Sequence, residues 1–160
     1  QRSEDDDGSE SHEGGPIHRA GLFVGLHDKL RECLLGPSEQ LADLGGLGIA
    51  APQVGVNLRI YIARLNFNTK HEMIVPMINA EFLKIADEMD NAEEGCLSIP
   101  KKFGIVRRSK AVTIEYTDIK GNSIVINLTG LNARIMQHEM DHLNATLIAD
   151  KMLSPPTGRP

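Results

Sequence analysis

The sequence predicts an α+β fold in which antiparallel β-sheets pack around a helix near the C-terminal end. Two observations carry that expectation. Strand-like runs cluster between residues 58 and 128, and a helical run follows over 131–148, so helices and strands do not alternate as a parallel α/β sheet requires. The chain has 160 residues, of which 41% are hydrophobic and 24% charged, enough for one domain with a proper core.

Taken in order, residues 1–16 (QRSEDDDGSESHEGGP) are acidic, rich in Ser and Gly and almost free of apolar side chains. Such a stretch cannot bury enough surface to offset its ordering entropy, so a disordered leader is expected. A single domain is expected over 17–153. From Ile17 to Leu44, Leu22, Leu26, Leu30 and Leu34 recur at helical spacing. Gly36-Pro37-Ser38 interrupts the pattern, and a short helix is expected after it. GGLGIAAPQVG (45–55) is glycine-rich and mostly apolar, and LRIYIARL (58–65) reads as a buried strand. MIVPMIN (73–79) and EFLKIAD (81–87) read as two further strands, with Pro76 placing the first at an edge or bulge. EEGCLSIP (93–100) reads as a turn around Cys96. KKFGIVRRSK (101–110) is locally basic and reads as a solvated strand edge or turn.

Val112, Ile114 and Tyr116 alternate with polar residues, DIKGN makes a turn, and Ile124, Ile126 and Leu128 alternate again. That pattern is a β-hairpin. A helix is expected from Leu131 to about Ile148, and SPPTGRP (154–160) reads as a frayed tail.

The net charge of −5 gives no support for wrapping nucleic acid. No run approaches the roughly 18 apolar residues needed to span a bilayer, so no membrane binding is expected. Two cysteines in unlike settings, Cys33 and Cys96, allow no disulfide framework and suit a reducing compartment rather than secretion. The first residue is not Met, which reads as a processed or cropped product.

The late helix carries HEMDH, with His138 and His142 one turn apart on one face and Glu139 beside the first. That spacing lets two imidazoles bind one ion while the carboxylate takes a proton from water. Zinc peptidases with this pattern find a third ligand downstream. Here Ile148 stands six positions after His142, no His or Cys follows, and Asp150 is the one acid beyond. The third ligand therefore lies upstream, among Cys33, Cys96, His12, His18, His27 and His71. Cys96 is the best placed, because the glycine before it lets the backbone aim the sulfur at a neighbour, whereas Cys33 sits in a leucine-rich helical pattern. One Cys and two His would leave a tetrahedral ion one open position, the arrangement of a catalytic site. Asp141, between the histidines, reads equally as a support for the ligands or as a solvated acid.

Three segments in order, GLGIAAPQ (46–53), EGCLS (94–98) and QHEMDH (137–142), resemble the three signature motifs of peptide deformylase. The resemblance runs from about Leu44 to Met152. It implies removal of the formyl group from N-formylmethionyl nascent peptides, with release of formate. It further implies Cys96, His138 and His142 as ligands of one divalent metal ion, Fe²⁺ in the native protein, with Zn²⁺, Ni²⁺ or Co²⁺ as occupants of purified protein. Glu139 would be the general base, and Gln53 with the N–H of Leu97 would donate to the oxyanion. Gly46, Leu47, Gly48, Gly95, Leu131 and Ile135 would contact the substrate. The ribosome would be a transient partner, and the compartment the cytoplasm or an organelle matrix, mitochondrial or plastid.

The chain departs from the family pattern in places. Phe103 stands where the family often has Arg, with Arg107 and Arg108 nearby. Ala145 and Ile148 replace a usual Gly and Phe, which reads as a helix continuing smoothly past His142. The family's N-terminal strand signature is missing or replaced. Two other functions stay open on the residues alone: a deformylase-like binding protein with little turnover, and a general metallopeptidase.

Overall fold

The computed structural model describes residues 46–153 and 157–158. The expected leader, the Leu22–Leu34 helix, the short helix after Ser38, Cys33 and His12, His18 and His27 lie outside the described residues. Eight strands and one α-helix are described: β1 (Gly48–Ala50), β2 (Ile60–Leu65), β3 (Met73–Ile85), β4 (Met89–Cys96), β5 (Ile99–Ser109), β6 (Ala111–Thr117), β7 (Ser123–Thr129), α1 (Gly130–Leu143) and β8 (Thr157–Gly158). They form a five-stranded sheet of order β1-β2-β3-β6-β7 and a three-stranded sheet of order β4-β5-β8. Every strand pair is antiparallel. The α+β class expected from the sequence is the class observed.

The hairpin falls in the register its alternation requires, with Val112 opposite Leu128, Ile114 opposite Ile126 and Tyr116 opposite Ile124. Asp118 closes its turn by accepting the backbone N–H of Lys120 and of Asn122, each at 2.8 Å. The two expected strands at 73–79 and 81–87 are instead one 13-residue strand, β3. Its register on β6 shifts between Ile78 and Glu81, where Asn79 has φ of 51°. A left-handed residue breaks the period-two alternation, which made one bent strand read as two. Pairing with β6 begins at Ile78, so Pro76 stands where β3 is paired on one side, opposite Ile62.

EEGC is likewise strand rather than turn. It ends β4, and only Leu97 and Ser98 turn the chain back into β5. The basic run is β5 itself, and not all of it is solvated: Arg108 is buried. The tail is not wholly frayed, because Lys102 and Phe103 of β5 pair with Gly158 and Thr157. Leu153 N–H donates to Ile105 O at 2.9 Å just before it.

The core lies between α1 and the larger sheet. Ala133, Met136 and Met140 recur at helical spacing and pack with Ala50, Tyr61, Ala63, Met77 and Ile114. The opposite edge of the helix carries His138 and His142 toward β4 and β5. Helix α1 stops at Leu143, five residues short of the expected end. Ala145 takes φ of 56°, its N–H bonds His142 O at 3.2 Å, and Thr146 N–H bonds Asp141 O at 2.9 Å. These two bonds make a Schellman stop, which satisfies the last carbonyls and wants a left-handed residue at the position Ala145 holds. The stop turns Ile148 inward, where it is among the largest fully buried side chains, in a short 3-10 turn against β4 and β5.

Alanine in a left-handed conformation costs about 1–2 kcal/mol. Ala145→Gly is therefore expected to stabilise the protein by about 1 kcal/mol, read as a higher midpoint in urea unfolding. An unchanged or lower midpoint would refute the helix stop as the site of strain.

Candidate metal centre and cavity

Two elements deliver the ligating atoms. Helix α1 presents His138 and His142, and the end of β4 presents Cys96. Cys96 Sγ lies 3.2 Å from His142 Nε2, which lies 3.2 Å from His138 Nε2. All three donor atoms fall within 4.8 Å of one another. Two imidazole nitrogens facing each other so closely need a shared proton or a cation between them, and one S and two N donors suit a divalent transition metal. Among the described residues this is the one group able to hold such an ion. His71, a candidate on sequence, is not part of it.

The geometry is set by Glu94, whose role the sequence reading did not find. Its Oε2 meets His138 Nδ1 at 3.0 Å, which turns Nε2 toward Cys96 and His142. Arg108 donates to both Glu94 oxygens at 2.6 and 2.9 Å, and Arg134 donates to Oε1 at 2.7 Å. Arg108 also donates to Asp141 at 2.8 Å, and Asp141 accepts from Lys151 at 2.5 Å. Asp141 is therefore no solvated acid but a tie between the helix and β5. Arg134 further donates to Val106 O and Asp90 O, each at 3.0 Å. Just before His138 on the helix, Gln137 grips Ser109, accepting its N–H at 3.0 Å and donating to its O at 2.9 Å. A signal for Arg134 was present, since it stands at i−4 from His138 on the same helix face. Glu94 and Arg108 are fourteen residues apart on paired strands, and nothing local marks their contact.

These contacts fix the charges. Burial alone would raise the Glu94 carboxyl, but hydrogen bonds from His138, Arg108 and Arg134 hold it down at about 2. Burial would also raise the Cys96 thiol, yet His138, His142 and the Ser98 N–H bring it to about 5, so it is a thiolate at neutral pH. Cys96 and Glu94 overcome burial to hold a proton on His138 up to about 10, and a cation binding there must displace it. Glu139 is pushed up to about 8, chiefly by burial, with His138 opposing and Cys96 adding to the shift. Its Oε2 is buried and has no hydrogen-bond partner among the described residues. Such an oxygen is costly unless a proton or a water serves it.

The centre forms the floor of a cavity of about 660 Å³. Gly46, Leu47 and Gly48 line one wall, Leu131 and Ile135 another, and Gly95, Cys96 and Leu97 a third. His138, Glu139 and Gln53 face the same space. The walls are mostly apolar, and the polar groups gather at the floor. Gln53 stands in a 3-10 turn after β1, and its Oε1 accepts Ala50 N–H at 2.8 Å. That bond turns Nε2 toward Ser98 Oγ at 2.9 Å and Cys96 Sγ at 4.0 Å. Phe103 lines the cavity with its ring against Gly95, where a Cβ would fall 2.5 Å from Cε1. Arg108 is committed to Glu94 and Asp141 and cannot take the place of an arginine at 103.

Similarity to known proteins points to one family. A family model described as polypeptide deformylase matches residues 23–157. The peptide deformylase of Thermotoga petrophila is 37% identical over 141 residues, which are 87% of this chain and 83% of the relative. The crystal structure of a peptide deformylase from Thermotoga maritima superposes with a TM-score of 0.73 at 38% identity, covering 80% of this chain and 83% of that one. A class I type b peptide deformylase from Acinetobacter baumannii, solved with Met-Ala-Ser bound, has a TM-score of 0.67 at 38% identity and covers 72% of this chain and 76% of that one.

A carboxyl held at about 2 contributes stability that is full above its ordinary value of 4.5 and is lost as pH falls toward about 2. Glu94→Gln is expected to flatten that acid limb and to lower stability at neutral pH by about 3 kcal/mol. It is also expected to weaken cation binding by roughly 10- to 100-fold. Urea unfolding across pH with a parallel cation titration reads all three, and an unchanged acid limb would contradict the role given to Glu94.

Proposed function

This chain belongs to the peptide deformylase family, hydrolases that remove the N-formyl group from nascent peptides, and we propose how its own residues divide that work. Cys96, His138 and His142 hold one divalent cation. The observation that carries this reading is the convergence of three donor atoms within 4.8 Å on the floor of an apolar cavity, beside a buried carboxylate oxygen with no partner among the described residues. When bound, the cation supplies Lewis acidity, polarising the formyl oxygen and making water easier to deprotonate. Fe²⁺ is the occupant the resemblance implies, and the S and N donors accept Zn²⁺, Ni²⁺ or Co²⁺ as well.

Glu139 takes a proton from the attacking water and returns it to the nitrogen of the leaving amine. Burial raises the Glu139 carboxyl while a bound cation would lower it, and these opposed effects keep a proton exchangeable there. Gln53 Nε2 and the Leu97 N–H serve the negative charge that develops on the formyl oxygen. The short hydrogen bond from Ala50 to Gln53 supports this role, since it holds the amide nitrogen on the Cys96 side. Leu47, Leu131 and Ile135 accept the methionine side chain. The backbone at Gly46, Gly48 and Gly95 lies along the peptide, which would run as an added strand.

Residues 17–153 belong to one catalytic domain, to which Thr157 and Gly158 add a strand paired with β5. Among the described residues no helix is long and apolar enough to cross a membrane. Formylated peptides arise where translation starts with formylmethionine, so we place the chain in a bacterial cytoplasm or an organelle matrix, with the ribosome as a transient partner.

Formate release from formyl-Met-Ala-Ser by the reduced, metal-loaded protein tests the reading directly. No release would leave a binding protein in its place. Glu139→Gln is expected to retain the cation and lose about four orders of magnitude in kcat, and loss of the cation instead would make Glu139 structural. Cys96→Ser is expected to lower cation occupancy after dialysis, and full occupancy would move the third ligand elsewhere.

A further inference from the structure

The wall of the cavity nearest Glu139 is the backbone of β1, at Gly48. A Cβ placed on Gly48 would lie 2.6 Å from Glu139 Cδ and 2.8 Å from Cγ, and closer still to Oε1. Real Cβ atoms do not approach a neighbour so closely, so the carboxyl group occupies the volume that any side chain at 48 would take. Gly48 has no positive φ that would call for glycine on backbone grounds. The requirement comes from the carboxyl.

An exposed glutamate would swing aside at little cost, whereas this one is buried and could move only into the cavity that it faces. Glu139 is 3% exposed and lies in a helix held by Gln137 and Arg134 on one side and by the Met136 and Met140 packing on the other. The fully buried Tyr61 is close enough to feel its charge. Its Oε2, unpartnered among the described residues, is not anchored by any hydrogen bond they supply. Packing against the described residues therefore does much to keep this acid in place, and β1 supplies one side of the mould.

We propose that Gly48 is a positioning residue for Glu139: the bare backbone at 48 sets where the carboxyl sits, and a side chain there displaces it. The inference rests on Glu139 as the base. It is distinct from a role for Gly48 in letting a peptide approach the backbone, because that role predicts a defect in KM.

Gly48→Ala, Glu139→Ala and the double variant, all metal-loaded, separate these roles. So do Glu139→Asp and Gly48→Ala/Glu139→Asp. With formyl-Met-Ala-Ser, Gly48→Ala is expected to lower kcat about 100-fold while KM stays within about twofold and the cation is retained. Its fall in Tm should vanish in the Glu139→Ala background, where the space has been vacated. In the Glu139→Asp background, whose carboxyl is drawn back, its effect on kcat should shrink about tenfold or more. An equal fall in Tm in both backgrounds, equal kcat losses in both, or a change confined to KM would overturn the proposal. Should Gly48→Ala fail to fold, recovery of folded protein in Gly48→Ala/Glu139→Ala supports the mould and failure to recover it refutes it. Glu139→Gln with full turnover would remove the base assignment, whereas the thermal coupling of 48 and 139 reports the packing by itself.

Discussion

The buried carboxylate of Glu94 is the interaction on which the rest of the site depends. It comes from β4, and it receives Arg108 from β5 and both Arg134 and His138 from α1. Three elements, two strands of one sheet and the helix, are thus fixed around one charge. An ionised carboxylate is expensive to bury alone, and here two guanidinium groups and an imidazole compensate it. The arrangement does more than hold the fold together. By occupying His138 Nδ1 it decides which nitrogen of that ring faces Cys96 and His142, so the orientation of a ligand and the docking of a helix are one event.

The floor of the cavity shows how hydrogen-bond donors decide the charge of two acids that burial pushes the same way. Glu94 and Glu139 are both buried. Glu94 is surrounded by donors and stays ionised. Glu139 has few, and burial leaves it ready to hold a proton. The same side chain in two surroundings gives a fixed anion and an exchangeable one, which is how a site obtains both a support and a base from glutamate.

Much of the site was legible because its chemistry is local in sequence. Two histidines at i and i+4 with a glutamate between them need a helix and little else, and the absence of a downstream ligand pointed upstream to Cys96. The hairpin was legible for the same reason, since alternation and turn residues are short-range signals. What escaped was set by distance or by single backbone angles. Glu94 and Arg108 meet only because β4 and β5 pair, so their partnership lies in the register. The split reading of β3 came from Asn79, and the overlong helix came from Ala145; in both cases a left-handed residue, which propensity does not foresee, redirected the chain. Ala145 was judged by its helix propensity, but its position is governed by the stop that follows Leu143.

The order in which the ligands occur along the chain has a consequence for folding. Cys96 lies at the end of a hairpin that can form from nearby residues, while His138 and His142 lie more than forty positions later on a helix that packs against β1 and β2. Closing the centre therefore demands some of the longest-range contacts in the domain, and such contacts form late because loop entropy must first be overcome. Along the chain, strands β1 to β7 precede the helix and β8 follows it. A cation held by all three donors then reports that the end of β4 and the helix have docked.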